Sequence, residues 1–241
     1  MKLAGRVALV TGAGRRVGQA IALALGQRGM RVAVHYHGSA DGANETVGQI
    51  KAGNARSFQA DLSDTTAHEP LVREVIAAFG SLDVLVNSAA VMVRTPFGEV
   101  TPEQWDSMMA LNIRAPFFLS QAAAPALKNA SGVIVNIADL AAFESWPAYV
   151  PHAISKSGVV HMTKSLARVL APDVRVNAVA PGTVLLPDDW STQADERLRQ
   201  TTPLGRTGSP AYVSATVIFL LESDYITGET IIVDGGRHVR T

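Results

Sequence analysis

Seven short runs rich in valine, alanine and isoleucine recur along this chain, and a stretch with helical spacing separates most of them from the next. The runs are Val7–Val10, Arg31–Tyr36, Ala55–Gln59, Asp83–Asn87, Val133–Ala138, Val174–Val179 and Thr230–Val233. Helical periodicity falls at 15–28, 40–52, 65–79, 102–127, 150–170 and 210–222. Most of the runs are continuously apolar and do not alternate, which is what strands buried on both faces require. The pattern predicts an α/β fold: one doubly wound parallel sheet of about seven strands flanked by helices. The expectation is a single domain over residues 1–241. The segment 183–202 breaks the rhythm with Pro187, Asp188, Asp189 and Trp190 before a short polar helix pattern, and is read as a substrate loop.

Composition narrows the function. Hydrophobic residues are 47% of the 241 and charged residues 17%, enough apolar material for a sizeable core. Lys plus Arg equals Asp plus Glu at 21 each, so the basic excess of a duplex or anionic-membrane binder is missing. No nucleic-acid or membrane partner is expected. Cysteine is absent, which removes disulfides, thiolate nucleophiles and Cys-ligated zinc, and no metal is expected. With no apolar run of 18 residues and no export signal, a cytoplasmic protein acting on a small molecule is the expectation.

The sequence Thr11-Gly12-Ala13-Gly14-Arg15-Arg16-Val17-Gly18 follows the first run and opens the first helix. Gly12 and Gly14 let backbone approach a pyrophosphate, Gly18 lets the helix pack closely, and the helix N-terminus offers amides to phosphate. A site for NAD usually places an acid about 20 residues on. Here the second run ends His35-Tyr36-His37-Gly38-Ser39, with no acid before Asp41. Arg16, with His35, His37 and Ser39 as further donors, instead suits a 2′-phosphate, so NADP(H) is the expected cofactor.

These motifs and those downstream resemble the short-chain dehydrogenase/reductase family along nearly the whole chain. They stand in order: TGAGRRVG at 11–18, Asp61-Leu62, NSAA at 87–90, Asn112, Ser155-Lys156, Pro181-Gly182 and YITGETIIVDGG at 225–236. The resemblance implies a Rossmann-like domain, a nicotinamide cofactor and a homotetramer or dimer. It also implies that Val17, Leu62, Pro181 and Gly182 line the cofactor site. Asp61 should meet the adenine, Asn87 the adenosine ribose, Thr183 the nicotinamide amide and Lys156 the nicotinamide ribose.

The family's active site joins a Tyr-x-x-x-Lys pair to a serine and an asparagine. In this chain the set reads Asn112, Asp139, His152 and Lys156, with histidine in the tyrosine's place and aspartate in the serine's. The aspartate resembles the pteridine reductase branch, as do the Arg15-Arg16 pair, His35 to Ala40, Gln59 to Ser63 and the tail from Asp234 to Arg240. Against that branch, Val91 and Met92 stand where it places a stacking aromatic. The resemblance implies hydride transfer to a small C=O or C=N compound, a pteridine being one candidate. Three roles stay open: His152 as the acid, oriented by Asp139; Asp139 donating through a water; or an NADP-binding protein weakened in catalysis.

Overall fold

The structure is a computed structural model and describes residues 1–184 and 192–239. Its strands are β1 (Val7–Val10), β2 (Arg31–Tyr36), β3 (Ala55–Gln59), β4 (Val84–Asn87), β5 (Val133–Ile137), β6 (Arg175–Pro181) and β7 (Thr230–Val233). They form one parallel sheet in the order β3-β2-β1-β4-β5-β6-β7, the doubly wound arrangement that the sequence predicts. The helices are α1 (Arg16–Gln27), α2 (Ala40–Gln49), α3 (His68–Phe79), α4 (Pro102–Met109), α5 (Ala115–Ala130), α6 (Val150–Leu170), α7 (Thr192–Thr201) and α8 (Pro210–Glu222).

Two cores explain the continuous apolar runs. Ala8, Val10, Val32, Val34, Val84 and Val86 join one cluster with Ile21 and Leu25 of α1 and Val217 and Leu221 of α8. Their neighbours Val7, Leu9, Ala33 and Leu85 join the other, with Val75 of α3, Leu119 of α5 and Leu170 of α6. Successive side chains of a strand point to opposite faces, so a sheet covered on both sides needs both residue sets apolar. β3 is the exception: it is an edge strand, with Phe58 buried and Arg56, Ser57 and Gln59 exposed.

One predicted helix is two. The periodicity over 102–127 resolves into α4 and α5, joined by a π-helical turn over Ala110–Arg114 in which Ala115 N–H bonds the carbonyl of Ala110, five residues back. Pro116 has no N–H to offer the Asn112 carbonyl, so the regular ladder fails there. The side chain of Asn112 fastens the turn: Val91 N–H donates to its Oδ1, and its Nδ2 donates to Val91 O, both at 2.9 Å. In the segment 183–202, Pro187, Asp188, Asp189 and Trp190 lie outside the described residues, while α7 supplies the predicted polar helix. Among the described residues no helix is long and apolar enough to cross a membrane.

Candidate active site

In an open parallel sheet, loops converge at the carboxyl ends of the strands, and ligands bind where the strand order reverses. Here that point lies between β1 and β4. Thr11, the first residue after β1, joins the two ends through its Oγ1, which accepts N–H groups of Ser88 and Ala89, both at 2.9 Å. A cleft of about 1150 Å3 opens above them. Of the predicted cofactor residues, Gly12, Arg16, Val17, His35, His37, Ser39, Asp61, Leu62, Lys156, Pro181, Gly182 and Thr183 line it, as do Asp139 and His152. Residues that follow all seven strands thus meet at one opening.

The glycine-rich turn is shaped by its own packing. Gly12 has a positive φ of 64°, and a Cβ on Gly18 would run into the Gly12 carbonyl, so α1 starts directly beneath the turn. Arg16 is left-handed as well, at φ 55°, a conformation that costs a non-glycine residue about 1 kcal/mol. The last residues of β2 offer no carboxylate, and the Ser39 hydroxyl makes no capping bond to α2.

Two expected contacts need correction. His35 is buried, its Nδ1 accepting the Gly12 N–H at 3.2 Å and its Nε2 lying 3.1 Å from the Ala60 carbonyl. Burial lowers its pKa to about 4, so it is a neutral ring with both nitrogens engaged, and it braces the glycine turn without a donor to offer a phosphate. The Asn87 amide donates inward to Ser120 Oγ and Asn136 Oδ1, in a buried polar chain that continues from Asn136 to Thr163. Neither Asn87 nor Gly14 lines the cleft.

The catalytic candidates do gather. His152, Ser155 and Lys156 lie on one face of α6 and are buried, with Asn112 beneath them. Asn112 Nδ2 has two protons, and Val91 O at 2.9 Å and Ser155 Oγ at 3.1 Å take them. His152 Nδ1, 3.2 Å from Val91 O, is therefore the donor in that contact. The proton on Nδ1 leaves Nε2 as the acceptor nitrogen of the neutral ring, buried and unpartnered. It lies 3.8 Å from Asp139 Oδ2. Asp139 is held by its other oxygen, which accepts the Ala141 N–H at 2.8 Å. Lys156 Nζ donates to Ile137 O at 2.8 Å; burial lowers its pKa to about 8, against the opposing pull of the Asp139 carboxylate.

Other residues of the site, Ser155 and Arg237 among them, stood in motifs of the sequence without a role of their own. Ser155 Oγ, which receives the Asn112 amide proton, donates to the His152 carbonyl at 2.7 Å, clamping the start of α6. Trp146 and Tyr149 meet edge-on, 6.3 Å between ring centres, in the cleft wall, and Arg237 reaches the same wall from beyond β7.

The family model described as enoyl-(acyl carrier protein) reductase matches residues 12–238. The chain is 38% identical over 240 residues to the 3-oxoacyl-(acyl-carrier-protein) reductase FabG of Staphylococcus aureus, covering 96% of this chain and 98% of that protein. It is 37% identical to the 3-oxoacyl-(acyl-carrier-protein) reductase of Synechocystis sp., covering 97% of each. A solved structure from Sinorhizobium meliloti 1021, assigned to the short-chain alcohol dehydrogenases, matches with a TM-score of 0.92 at 35% identity, covering 99% of this chain and 98% of that one. These relatives bear out the family resemblance and carry no pteridine reductase name. With motif order, sheet topology and relatives in agreement, the chain belongs to the short-chain dehydrogenase/reductase family of oxidoreductases.

Proposed function

We propose that the protein is an NADP(H)-dependent reductase of a small carbonyl compound, with His152 as its proton donor. The observation that carries this reading is the meeting of His152 Nε2, Asp139 and Lys156 in the same cleft as the glycine turn. At about 1150 Å3 the cleft exceeds the roughly 300–1000 Å3 of a single small-ligand pocket, leaving room for a dinucleotide and a substrate. The turn after β1 and the α1 N-terminus would hold the pyrophosphate, Arg16 and Ser39 a 2′-phosphate, Lys156 the nicotinamide ribose and Thr183 its amide. When bound, the nicotinamide supplies the hydride.

The residues of this chain manage the proton. Val91 O holds the Nδ1 proton of His152, so the proton that His152 gives up is one carried on Nε2, the nitrogen that faces Asp139. Nε2 gives that proton to the oxygen of the carbonyl as the carbon is reduced, and the ring returns to neutral. The ketoacyl names of the relatives support a C=O substrate. Asp139 also suits the C=N of a pteridine, but Met92 at the cleft lip, 49% exposed, provides no flat ring to stack on one. The exposed side chains of Trp105 on α4, Phe117 and Phe118 on α5 and Ile154 on α6 support assembly as a homotetramer or dimer, which sedimentation reads directly.

The test is NADPH oxidation with carbonyl and pterin compounds by wild type, His152→Gln and His152→Tyr. Removing a positioned acid costs about 10²–10⁴-fold in turnover, so both variants fall while NADPH titration is retained. A second reading, a dinucleotide-binding protein weakened in catalysis, is favoured by the short reach of an imidazole beside a phenol. It predicts that His152→Tyr raises turnover by orders of magnitude. Preference for NADH over NADPH would remove the role given to Arg16.

A further inference from the structure

We infer that Arg237 selects the substrate of this cleft by binding a carboxylate that the carbonyl compound carries. The inference rests on the reductase reading and deepens it by naming a substrate class, small oxo acids. Arg237 opens a short 3-10 turn after β7, and its side chain returns across the carboxyl end of β6 to line the cleft. Only 14% of that side chain is exposed.

A guanidinium has five N–H groups, and this one uses few of them. Nη1 donates to Thr183 Oγ1 at 3.1 Å. Nε is buried without a hydrogen-bond partner. Glu144 Oε2 lies 3.6 Å from Nε, an ion-pair distance beyond hydrogen-bond reach, and the same oxygen already accepts the Trp146 Nε1 proton at 2.7 Å. The guanidinium carbon sits 5.5 Å from the centre of the Trp146 ring.

A cation withdrawn from water with donors unmet is costly until an acceptor arrives. Its planar fork matches the two oxygens of a carboxylate, and the indole beneath holds the fork in place before the ligand comes. Glu144 offsets the charge without filling the fork. With His152 and Lys156 lining the same cleft, one ligand places its reducible carbonyl at Nε2 of His152 and its carboxylate at Arg237. A neutral oxoacyl chain leaves the donors unmet, and a site built around such donors rejects the ligand that lacks the acceptor.

The test uses benzoate and benzamide, which share a shape and differ in charge, titrated by calorimetry into the full chain saturated with NADPH. Benzoate binds at least about tenfold more tightly than benzamide, the scale of a charge-assisted hydrogen bond. Arg237→Met abolishes that ratio and Arg237→Lys restores part of it. Equal binding of the two probes to the wild type overturns the inference, and that comparison stands even if a variant fails to fold. A ratio that survives in Arg237→Met, or a parallel loss of both probes there, overturns it too, because a merely structural arginine leaves the ratio alone. If the wild type binds no NADPH, the reductase reading fails by itself, and the same titrations without cofactor still read the carboxylate preference.

Discussion

Arg16 holds a left-handed backbone in the turn that opens α1, where a glycine would sit without strain. A side chain kept at a cost of about 1 kcal/mol points to a gain elsewhere, and its place on the cleft wall suits a cofactor phosphate. Arg16→Gly is therefore expected to weaken NADPH by about tenfold to a hundredfold, the worth of a charge-assisted contact. NADH affinity should stay unchanged, and paired fluorescence titrations with the two dinucleotides check it. The arginine was legible in the sequence as a departure from a glycine pattern; its strain was not, because φ is set by how the turn meets α1. His35 went the other way. A histidine at the end of β2 reads as a phosphate donor, but the backbone of Gly12 and Ala60 claims both ring nitrogens.

At the scale of elements, α2 is pressed onto the glycine turn. A Cβ on Gly42 would collide with the Gly14 carbonyl, and the Thr46 hydroxyl reaches Ala13 O at 3.1 Å. Gly42→Ala should push the helix away, costing about 1–3 kcal/mol as overpacking does and loosening cofactor binding. Gly48 on the same helix is exposed with nothing near its Cβ position, so Gly48→Ala should stabilise by about 0.5–1 kcal/mol. Urea denaturation of the two variants reads the difference in sign. The periodicity located α2 well, because a covered helix face repeats at 3.6 residues. It merged α4 with α5, because apolar residues continue through the π-helical turn, and the Val91 backbone that fastens that turn to Asn112 is 21 residues away.

Across the whole molecule, burial of ionisable groups sets how stability follows pH. His35 has a native pKa of about 4 against 6.5 in an unfolded chain. The unfolded state therefore binds the extra proton between those values, and the stability present above pH 6.5 is lost as pH falls towards 4. Linkage puts the loss from this one group at about 2 kcal/mol between pH 7 and pH 5. His35→Asn, which cannot titrate, should flatten that part of the profile, and urea midpoints at the two pH values check it. The sequence alone determined the sheet, the helices flanking it and the positions of Asn112, Asp139, His152 and Lys156, because burial period and motif spacing are local properties of a chain. Only the tertiary structure decided which polar atoms remain for a ligand. His35 and Asn87 turn inward to partners distant in sequence, and Arg237 arrives from beyond β7 with its Nε unmet, since hydrogen-bond partners are chosen by proximity in space and not along the chain.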